Sequence, residues 1–455
     1  MIDTEERVSE DRASEDRVVA SGGRTGLLVT GATLAGWAAI VAIGRWWGLR
    51  LIAQGTRLVL PTPPVLGVPG PGLTLRLLIP IGVGAVLIAA TPTVVRRLSW
   101  RWLLVAAVCG AAVWSVSVAL VDGPGGLTRG PSWNSEYGTD VPAVAAAPGH
   151  FLRTFEHEIG NYEIHVRGHP PGMVLILAGM DRVGLQGPGW EAALVIGVGA
   201  SAVAAALVAA RELAGERVAR RAAPFLVLAP AAVWIATSAD AFFLGVTAWG
   251  VALLVLAIGR DGRRSDRLAL AGGVILGLGL MLSYGVVLVA IVPLVVAFPA
   301  RRWRPLALAT AGAAVVLAGF GLLGFSWIGG LLATRHEYQV LDLQRPYRYF
   351  VVNNLSAWAL ALGPATAVAL VRLRDRRLWL LVGGGIAAAL AADLSGLSEG
   401  EVERIWLPFT IWVLLAGAVL AGGQDLAPRW RAAQGWLALQ ATSAVVLVSL
   451  VTTQW

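Results

Sequence analysis

The sequence has no lysine, and charge of either sign is scarce: only 14% of its 455 residues are charged, whereas 56% are hydrophobic. A soluble domain has roughly 25% charged residues, so the composition excludes an ordinary soluble protein and indicates a polytopic membrane protein. The one cysteine, Cys109, lies in an apolar run and excludes an internal disulfide bond.

The net charge of +8 comes from arginine alone. It does not indicate a nucleic-acid partner, because arginine marks the cytoplasmic ends of membrane helices. Arginine as the only basic residue, with abundant Ala, Gly and Val, is typical of a GC-rich bacterial coding sequence. We therefore expect a bacterial plasma-membrane protein that acts on the cell envelope.

The first 24 residues are polar and mixed in charge. They predict a disordered cytoplasmic tail over 1–24, and the early acidic run is unlike a cleaved signal. Beyond it, apolar stretches of roughly 17–25 residues predict membrane helices. About thirteen such stretches occur, at 26–44, 76–93, 103–121, 190–210, 222–238, 242–259, 268–284, 285–299, 305–327, 350–371, 378–392, 405–421 and 433–452.

Six short links between these stretches hold 20 of the 36 basic residues, so the positive-inside rule places all six in the cytoplasm. The N-terminus is then cytoplasmic. The chain divides into N-terminal transmembrane helices over 25–121, an outer loop over 122–189, and a helix bundle over 190–455 with outer loops 328–349 and 393–404. The links are 96–101, 211–221, 259–267, 301–304, 372–377 and 428–431.

The stretch "HPPGMVLILAGMDRVGL" begins and ends on the outer side in this topology. Its apolar run of about 10 residues before Asp181 is too short to span a membrane. Pro170 and Pro171 suit the first turn of a helix. We therefore expect a helix that lies on the membrane surface or enters it shallowly, and a catalytic loop on the extracytoplasmic side.

Ionisable residues concentrate in the outer segments, where the chain has irregular structure from which to build a site. Glu136 and Asp140 are four residues apart, and either could serve as a general base. Asp240 stands at the outer end of a membrane helix, where a carboxylate is rare and often functional. Four of the five histidines lie within 150–169 of the same loop, including His165 and His169.

Outward arginines break the positive-inside pattern in two outer loops: Arg345 and Arg348, and Arg404 beside Glu401. Guanidinium groups bind phosphate through paired hydrogen bonds, although ion pairs with nearby carboxylates explain the same arginines.

The order of these residues resembles the GT-C superfamily of membrane glycosyltransferases, especially the protein mannosyltransferase and aminoarabinose transferase branch. That branch has "DE-x-x-Y" followed by "HPP" or "KP". Here a carboxylate and a tyrosine, Glu136 and Tyr137, precede a Phe-rich stretch and Tyr162-x-x-His165-x-x-x-His169-Pro-Pro. The motifs cover about 103–260. Two extra spans precede the loop, and the family's leading Asp aligns with Ser135, which leaves the base as Glu136 or Asp140.

The resemblance implies a fold of the GT-C type and a sugar donor carried on a polyprenyl phosphate. The acceptor, which is a glycan, a glycolipid or a protein, would attack on the outer face with inversion. Glu136, Asp140 and Asp240 would be catalytic. The resemblance permits a divalent cation such as Mg²⁺ or Mn²⁺ without requiring one, and we assign no metal ligand. Substrate would be bound by Tyr137, His165, His169, Arg345, Arg348, Glu401 and Arg404.

Three other functions compete with this one. His165 and His169 could share a metal with Glu156, His157 or Glu158, but "HVRGH" lacks the Glu of a zinc hydrolase helix. A transporter or flippase of a lipid or glycolipid fits the many spans, but transporters place ionisable residues at mid-membrane. A structural scaffold has no feature in its favour.

Overall fold

The computed structural model describes residues 2–132, 136–340, 345–422 and 430–454, with side chains described from residue 25 onward except at 340. Three earlier predictions therefore lie partly or wholly outside the described residues. They concern Ser135, part of the 328–349 outer loop (341–344), and part of the 428–431 link (428–429).

The described chain is almost entirely helical, as the sequence predicted. The N-terminal part contains three long helices, and four short helices follow in the outer loop. These seven are α1 (Ile2–Ala53), α2 (Leu78–Arg97), α3 (Trp100–Ala119), α4 (Val141–Ala146), α5 (Pro148–Glu158), α6 (Ile164–Gly168) and α7 (Gly172–Arg182).

The rest of the chain forms the helix bundle. Its helices are α8 (Pro188–Ala214), α9 (Glu216–Val227), α10 (Ala239–Ile258), α11 (Gly262–Leu280), α12 (Ile291–Ala300), α13 (Trp303–Leu322), α14 (Trp327–Val340), α15 (Tyr347–Leu362), α16 (Pro364–Arg372), α17 (Arg376–Leu394), α18 (Val402–Ile405), α19 (Leu407–Leu414) and α20 (Trp430–Leu450).

Eight helices in the described part of the chain are long and apolar enough to cross a membrane, so the chain is a multi-pass membrane protein. The pair α15 and α16, bent by 93°, makes a ninth if it counts as one broken span. The eight are α1 from Thr25, α2, α3, α8, α10, α13, α17 and α20.

The predicted count of thirteen spans is not confirmed, because several predicted spans are short or interrupted helices. The 222–238 stretch holds the end of α9 and a 3-10 helix that begins at Pro230. The 285–299 stretch begins as a 3-10 helix before α12, and the 350–371 stretch breaks at Gly363. Residues 2–24, where we expected a disordered tail, belong to α1.

Helix α10 lies at the centre of the bundle between α8 and α11. Small residues let the backbones approach closely: a Cβ on Gly245 would stand 2.6 Å from the carbonyl carbon of Val198. Close approach of small residues is a common way for membrane helices to associate, because lipid offers no hydrophobic driving force between them.

Four of the six arginine-rich links contact one another at one end of this bundle. Arg260 pairs with Glu212, and Arg302 pairs with Asp261 at 2.7 Å. Arg220 donates to the carbonyl oxygens of Val95 and Leu98. These contacts connect four of the six links. Contact between them is consistent with the prediction that the links lie on the same side of the membrane.

The loop between α1 and α2 contacts distant parts of the chain. Strand β1 (Val68–Pro69) pairs antiparallel with β2 (Val451–Thr452) after α20. The backbone N–H of Leu66 donates to Oε1 of Glu403, and Asn353 donates to the carbonyl oxygen of Pro64. The loop therefore packs over the ends of α15 and α20 and against α18.

Candidate active site

The end of α10 opposite the arginine links begins with a buried carboxylate. Ser238 caps α10: its hydroxyl accepts from the N–H of Asp240 at 3.2 Å and donates to Oδ2 of Asp240 at 2.9 Å. Asp240 is only 3% exposed. Serine is a favoured helix N-cap, and here it also fixes the orientation of the Asp240 side chain.

Arg404 of α18 lies between two carboxylates. One of its terminal nitrogens donates to Asp240 and the other to Glu401, so the guanidinium bridges residues far apart in sequence. Glu401 adopts a left-handed conformation with φ of 59°, uncommon for a residue other than glycine. Burial raises the pKa of Glu401, but Arg404 outweighs this, and the pKa lies below its usual value.

The two histidines predicted to bind substrate belong to one short segment. The N–H of Glu163, at the start of α6, donates to Oδ2 of Asp140 at 2.9 Å, which anchors α6. The His165 and His169 rings stack with centroids 6.2 Å apart. Proline follows at once, so α6 ends and α7 begins as a separate helix of 11 residues.

His169 has a defined tautomer. Its Nδ1 lies 2.9 Å from the carbonyl oxygen of His165, and a carbonyl can only accept, so Nδ1 carries the hydrogen. Burial lowers the pKa of His169, which keeps the imidazole neutral near pH 7. Its Nε2 is therefore a hydrogen-bond acceptor.

Glu136 completes the cluster from the outer loop. It is 4% exposed, and its Oε1 lies 3.5 Å from Nε2 of His165. Burial raises the pKa of Glu136 to about 8; Arg404 acts in the opposite direction, and Glu191, Asp240 and Glu401 add to the increase. Desolvation disfavours the charged carboxylate, so Glu136 is mostly protonated at neutral pH.

His165 receives a hydrogen bond on the same ring nitrogen. A terminal nitrogen of Arg404 lies 3.3 Å from Nε2 of His165, and arginine can only donate. Nε2 therefore accepts in this arrangement. Nε2 has a single lone pair, which Arg404 engages, so Glu136 is a close neighbour of His165 rather than a second donor to the same nitrogen.

The two remaining arginines lie farther out. Arg345 is half-buried, lies 3.9 Å from Glu401 and donates to the carbonyl oxygen of Glu399 at 2.7 Å. Arg348 is exposed at the start of α15, and no ion pair or hydrogen bond joins it to another described residue. The structure therefore brings Glu136, Tyr137, His165, His169, Asp240, Glu401 and Arg404 together, leaves Arg345 at the edge, and places Asp140 and Arg348 outside the cluster.

The donor groups of the cluster do not form a metal centre within the described ranges. No group of three or more His, Cys, Asp or Glu residues there is arranged to hold an ion. The guanidinium of Arg404 lies between Asp240 and Glu401, so a fixed positive charge already occupies the position where two carboxylates converge.

Three residues that are candidates for a role in the site were not identified from the sequence. Ser238 orients Asp240, and Glu403 is completely buried beside Arg404. Glu191 is 7% exposed in the first turn of α8. The rule that singled out Asp240, an ionisable residue at the outer end of an apolar stretch, applies equally to Glu191.

No protein-family model matches the chain, and no curated protein sequence matches it. Similar solved structures include ArnT from Cupriavidus metallidurans bound to undecaprenyl phosphate, with 20% identity and a TM-score of 0.44 over 71% of this chain and 61% of that one. The Archaeoglobus fulgidus oligosaccharyltransferase AglB, in complex with an inhibitory peptide and a dolichol phosphate, shows 12% identity and a TM-score of 0.45 over 78% and 57%.

The chain spans about three fifths of the length of each of these proteins, 61% and 57% respectively.

Proposed function

We propose that this chain is a membrane glycosyltransferase. It moves a sugar from a polyprenyl-phosphate donor to a cell-envelope acceptor on the outer face of a bacterial plasma membrane. The observation that carries the proposal is the buried Glu136 carboxyl, 3.5 Å from His165 in an outer segment and with a pKa raised to about 8. A hydroxyl acceptor needs a base of this kind.

Glu136 is favoured over Asp140 as the base. Asp140 is half-exposed, and its Oδ2 already accepts the N–H of Glu163. It therefore acts by anchoring α6, which presents His165 to Glu136. Asp140 is a positioning residue in this proposal.

The reaction requires one proton transfer and one displacement. The acceptor oxygen attacks C1 of the donor sugar, and Glu136 takes the hydroxyl proton. The bond between C1 and the phosphate oxygen breaks, its electron pair stays on that oxygen, and polyprenyl phosphate leaves. Attack opposite the leaving group inverts the configuration at C1.

The arginines have different roles in this scheme. Arg404 forms ion pairs with Asp240 and Glu401. Its positive charge therefore contributes to the electrostatic potential of the site, and its guanidinium orients the two carboxylates. Arg345 has a long pair with Glu401 at 3.9 Å and a hydrogen bond to the carbonyl oxygen of Glu399, and at the edge of the cluster its guanidinium can bind a phosphate. Fixed positive charge beside the leaving phosphate stabilises the charge that develops there.

The test is transfer of labelled sugar from polyprenyl-phosphate donors, one donor at a time, in membranes that contain the wild-type chain or Glu136→Gln. Loss of label from the lipid pool in wild type but not in the variant supports the proposal. Label loss that is equal in both would refute the role of Glu136. Donor binding without transfer in any membrane, combined with movement of the lipid across the bilayer, would establish the flippase instead.

A further inference from the structure

A second buried carboxylate is not used by the proposed reaction. Glu191 is 7% exposed, and among the described residues no hydrogen bond or ion pair involves its carboxylate. Its place in the first turn of α8 is favourable for a negative charge. That position does not explain why the side chain lies at a cavity wall.

Glu191 lines a cleft of about 360 Å³ between the loop that follows Glu136 and the segment that joins α7 to α8. Ligand sites commonly fall in the range of about 300–1,000 Å³. The acceptor cleft, as we call it, is lined by both polar and apolar side chains. The polar ones include Ser132, Thr139, Asp181 and Glu191, and the apolar ones include Leu177 and Met180.

The acceptor cleft lies near the proposed base. Gly138 and Thr139 line it, and they follow Glu136 by two and three residues. The charge of Glu191 is also one of the influences that raise the pKa of Glu136, after burial and the opposing effect of Arg404. Glu136 is buried and does not line the cleft itself, so the cleft borders the loop that carries the base.

The charged residues that line the acceptor cleft indicate which class of ligand it can bind. Two carboxylates line the acceptor cleft, and within the described residues no arginine or histidine does. Carboxylates accept hydrogen bonds from hydroxyl groups and repel phosphates. Leu177 and Met180 offer the apolar surface against which the C–H face of a sugar ring packs.

We propose that the acceptor cleft binds an uncharged, polyhydroxylated carbohydrate, and that Glu191 and Asp181 accept hydrogen bonds from its hydroxyl groups. The inference rests on the proposed function, because it identifies the cleft ligand as the acceptor of the transfer. It implies that the acceptor is a neutral glycan or the glycan part of a glycolipid, and that phosphorylated sugars are excluded.

The test measures cleft occupancy without any donor. The chain has a single cysteine, so Cys109→Ala removes every native thiol that maleimide could label. In this background, Leu185→Cys places a thiol in the cleft lining, and Val183→Cys places a matched thiol outside it. The rate at which maleimide labels the thiol of the purified full chain is measured in the presence of mannotriose, arabinotriose or maltotriose, and separately in the presence of glucose 6-phosphate. Gln186→Cys, also in the lining, serves as a second reporter if Leu185→Cys does not fold.

We expect at least one neutral trisaccharide to slow labelling at Leu185→Cys about tenfold and to leave Val183→Cys unchanged. Glucose 6-phosphate should have no effect, and adding Glu191→Gln should abolish the protection. Absence of protection by all three trisaccharides, or equal protection by glucose 6-phosphate, would overturn the inference. If a trisaccharide slows labelling but the wild type transfers no sugar, carbohydrate binding by the cleft stands and the proposed glycosyltransferase function does not.

Discussion

Nε2 of His165 lies 3.5 Å from Oε1 of Glu136 and 3.3 Å from a terminal nitrogen of Arg404. One imidazole nitrogen therefore connects the proposed base to the charged group that holds Asp240 and Glu401. Because Arg404 can only donate, Nε2 accepts from it, and the single lone pair of this nitrogen is then engaged. Burial raises the pKa of Glu136 to about 8, so in the proposed reaction Glu136 must lose its proton before it can accept one from a substrate.

Glu136→Gln should reduce sugar transfer about 10²–10⁴-fold, the usual contribution of a general base. The amide keeps the size of the side chain but cannot take the acceptor proton. Transfer rates in membranes, normalised to protein abundance, measure this. Glu158→Gln is the matched control, because Glu158 is a partly buried carboxylate on α5 of the same loop and contacts Thr154 and Tyr162 instead of the cluster. Equal losses in the two variants would contradict a specific role for Glu136.

Asp140→Asn separates the two candidate bases. We expect it to weaken the anchor of α6 by about 1 kcal/mol, the net value of one hydrogen bond, and to lower transfer by no more than about tenfold. Its pH profile should match that of wild type. A loss as large as that of Glu136→Gln, without a change in thermal stability, would make Asp140 the base.

Transfer should rise with pH across the neutral range. A base works when deprotonated, and burial raises the pKa of Glu136 to about 8, so the active fraction should increase roughly tenfold from pH 7 to pH 9. The measurement is kcat/KM against pH, which reports the free enzyme. A flat profile over this range, or one that falls, would be inconsistent with Glu136 as the group that takes the proton.

Arg404→Met should destabilise the fold by about 3–5 kcal/mol, because removal of one partner leaves buried charge uncompensated. The change is measured as a lowered midpoint of thermal unfolding in detergent. The triple variant Arg404→Met/Asp240→Asn/Glu401→Gln should recover most of this loss, since it removes the charges together. Arg348→Met, at an exposed arginine, should leave the midpoint unchanged. If the triple variant were less stable than Arg404→Met alone, the account of the cluster as mutually neutralising charges would be wrong.

Part of the fold could be predicted from the sequence because hydropathy and arginine placement are local signals. They predicted a helical membrane protein, a short helix after Pro171 and the meeting of four arginine-rich links at one end of the bundle. They failed where an apolar stretch is interrupted: Pro230 and Gly363 break predicted spans. Hydropathy reports that a segment avoids water, but it does not report whether its helix is continuous.

The candidate site, like the fold, could be predicted only in part. Glu136, Asp240 and Arg404 could each be chosen because a charged residue is conspicuous in so apolar a chain. Their pairing could not be predicted, because 164 positions separate Arg404 from Asp240, and the contact depends on how α10 and α18 pack. Asp140 was a candidate base by spacing, but its hydrogen bond to Glu163 is visible only in three dimensions.

The loop between α1 and α2 has a consequence for biosynthesis. Its partners include Glu403 and the backbone of residues 449–452, which are synthesised long after the loop itself. Gly70 and Gly72 donate to the carbonyl oxygens of Leu450 and Ser449. During membrane insertion these contacts of the loop must therefore wait while more than a dozen later helices are synthesised. Docking of the loop is a late assembly step, and because Leu66 contacts the residue next to Arg404, the loop supports the candidate site only after α18 has been made.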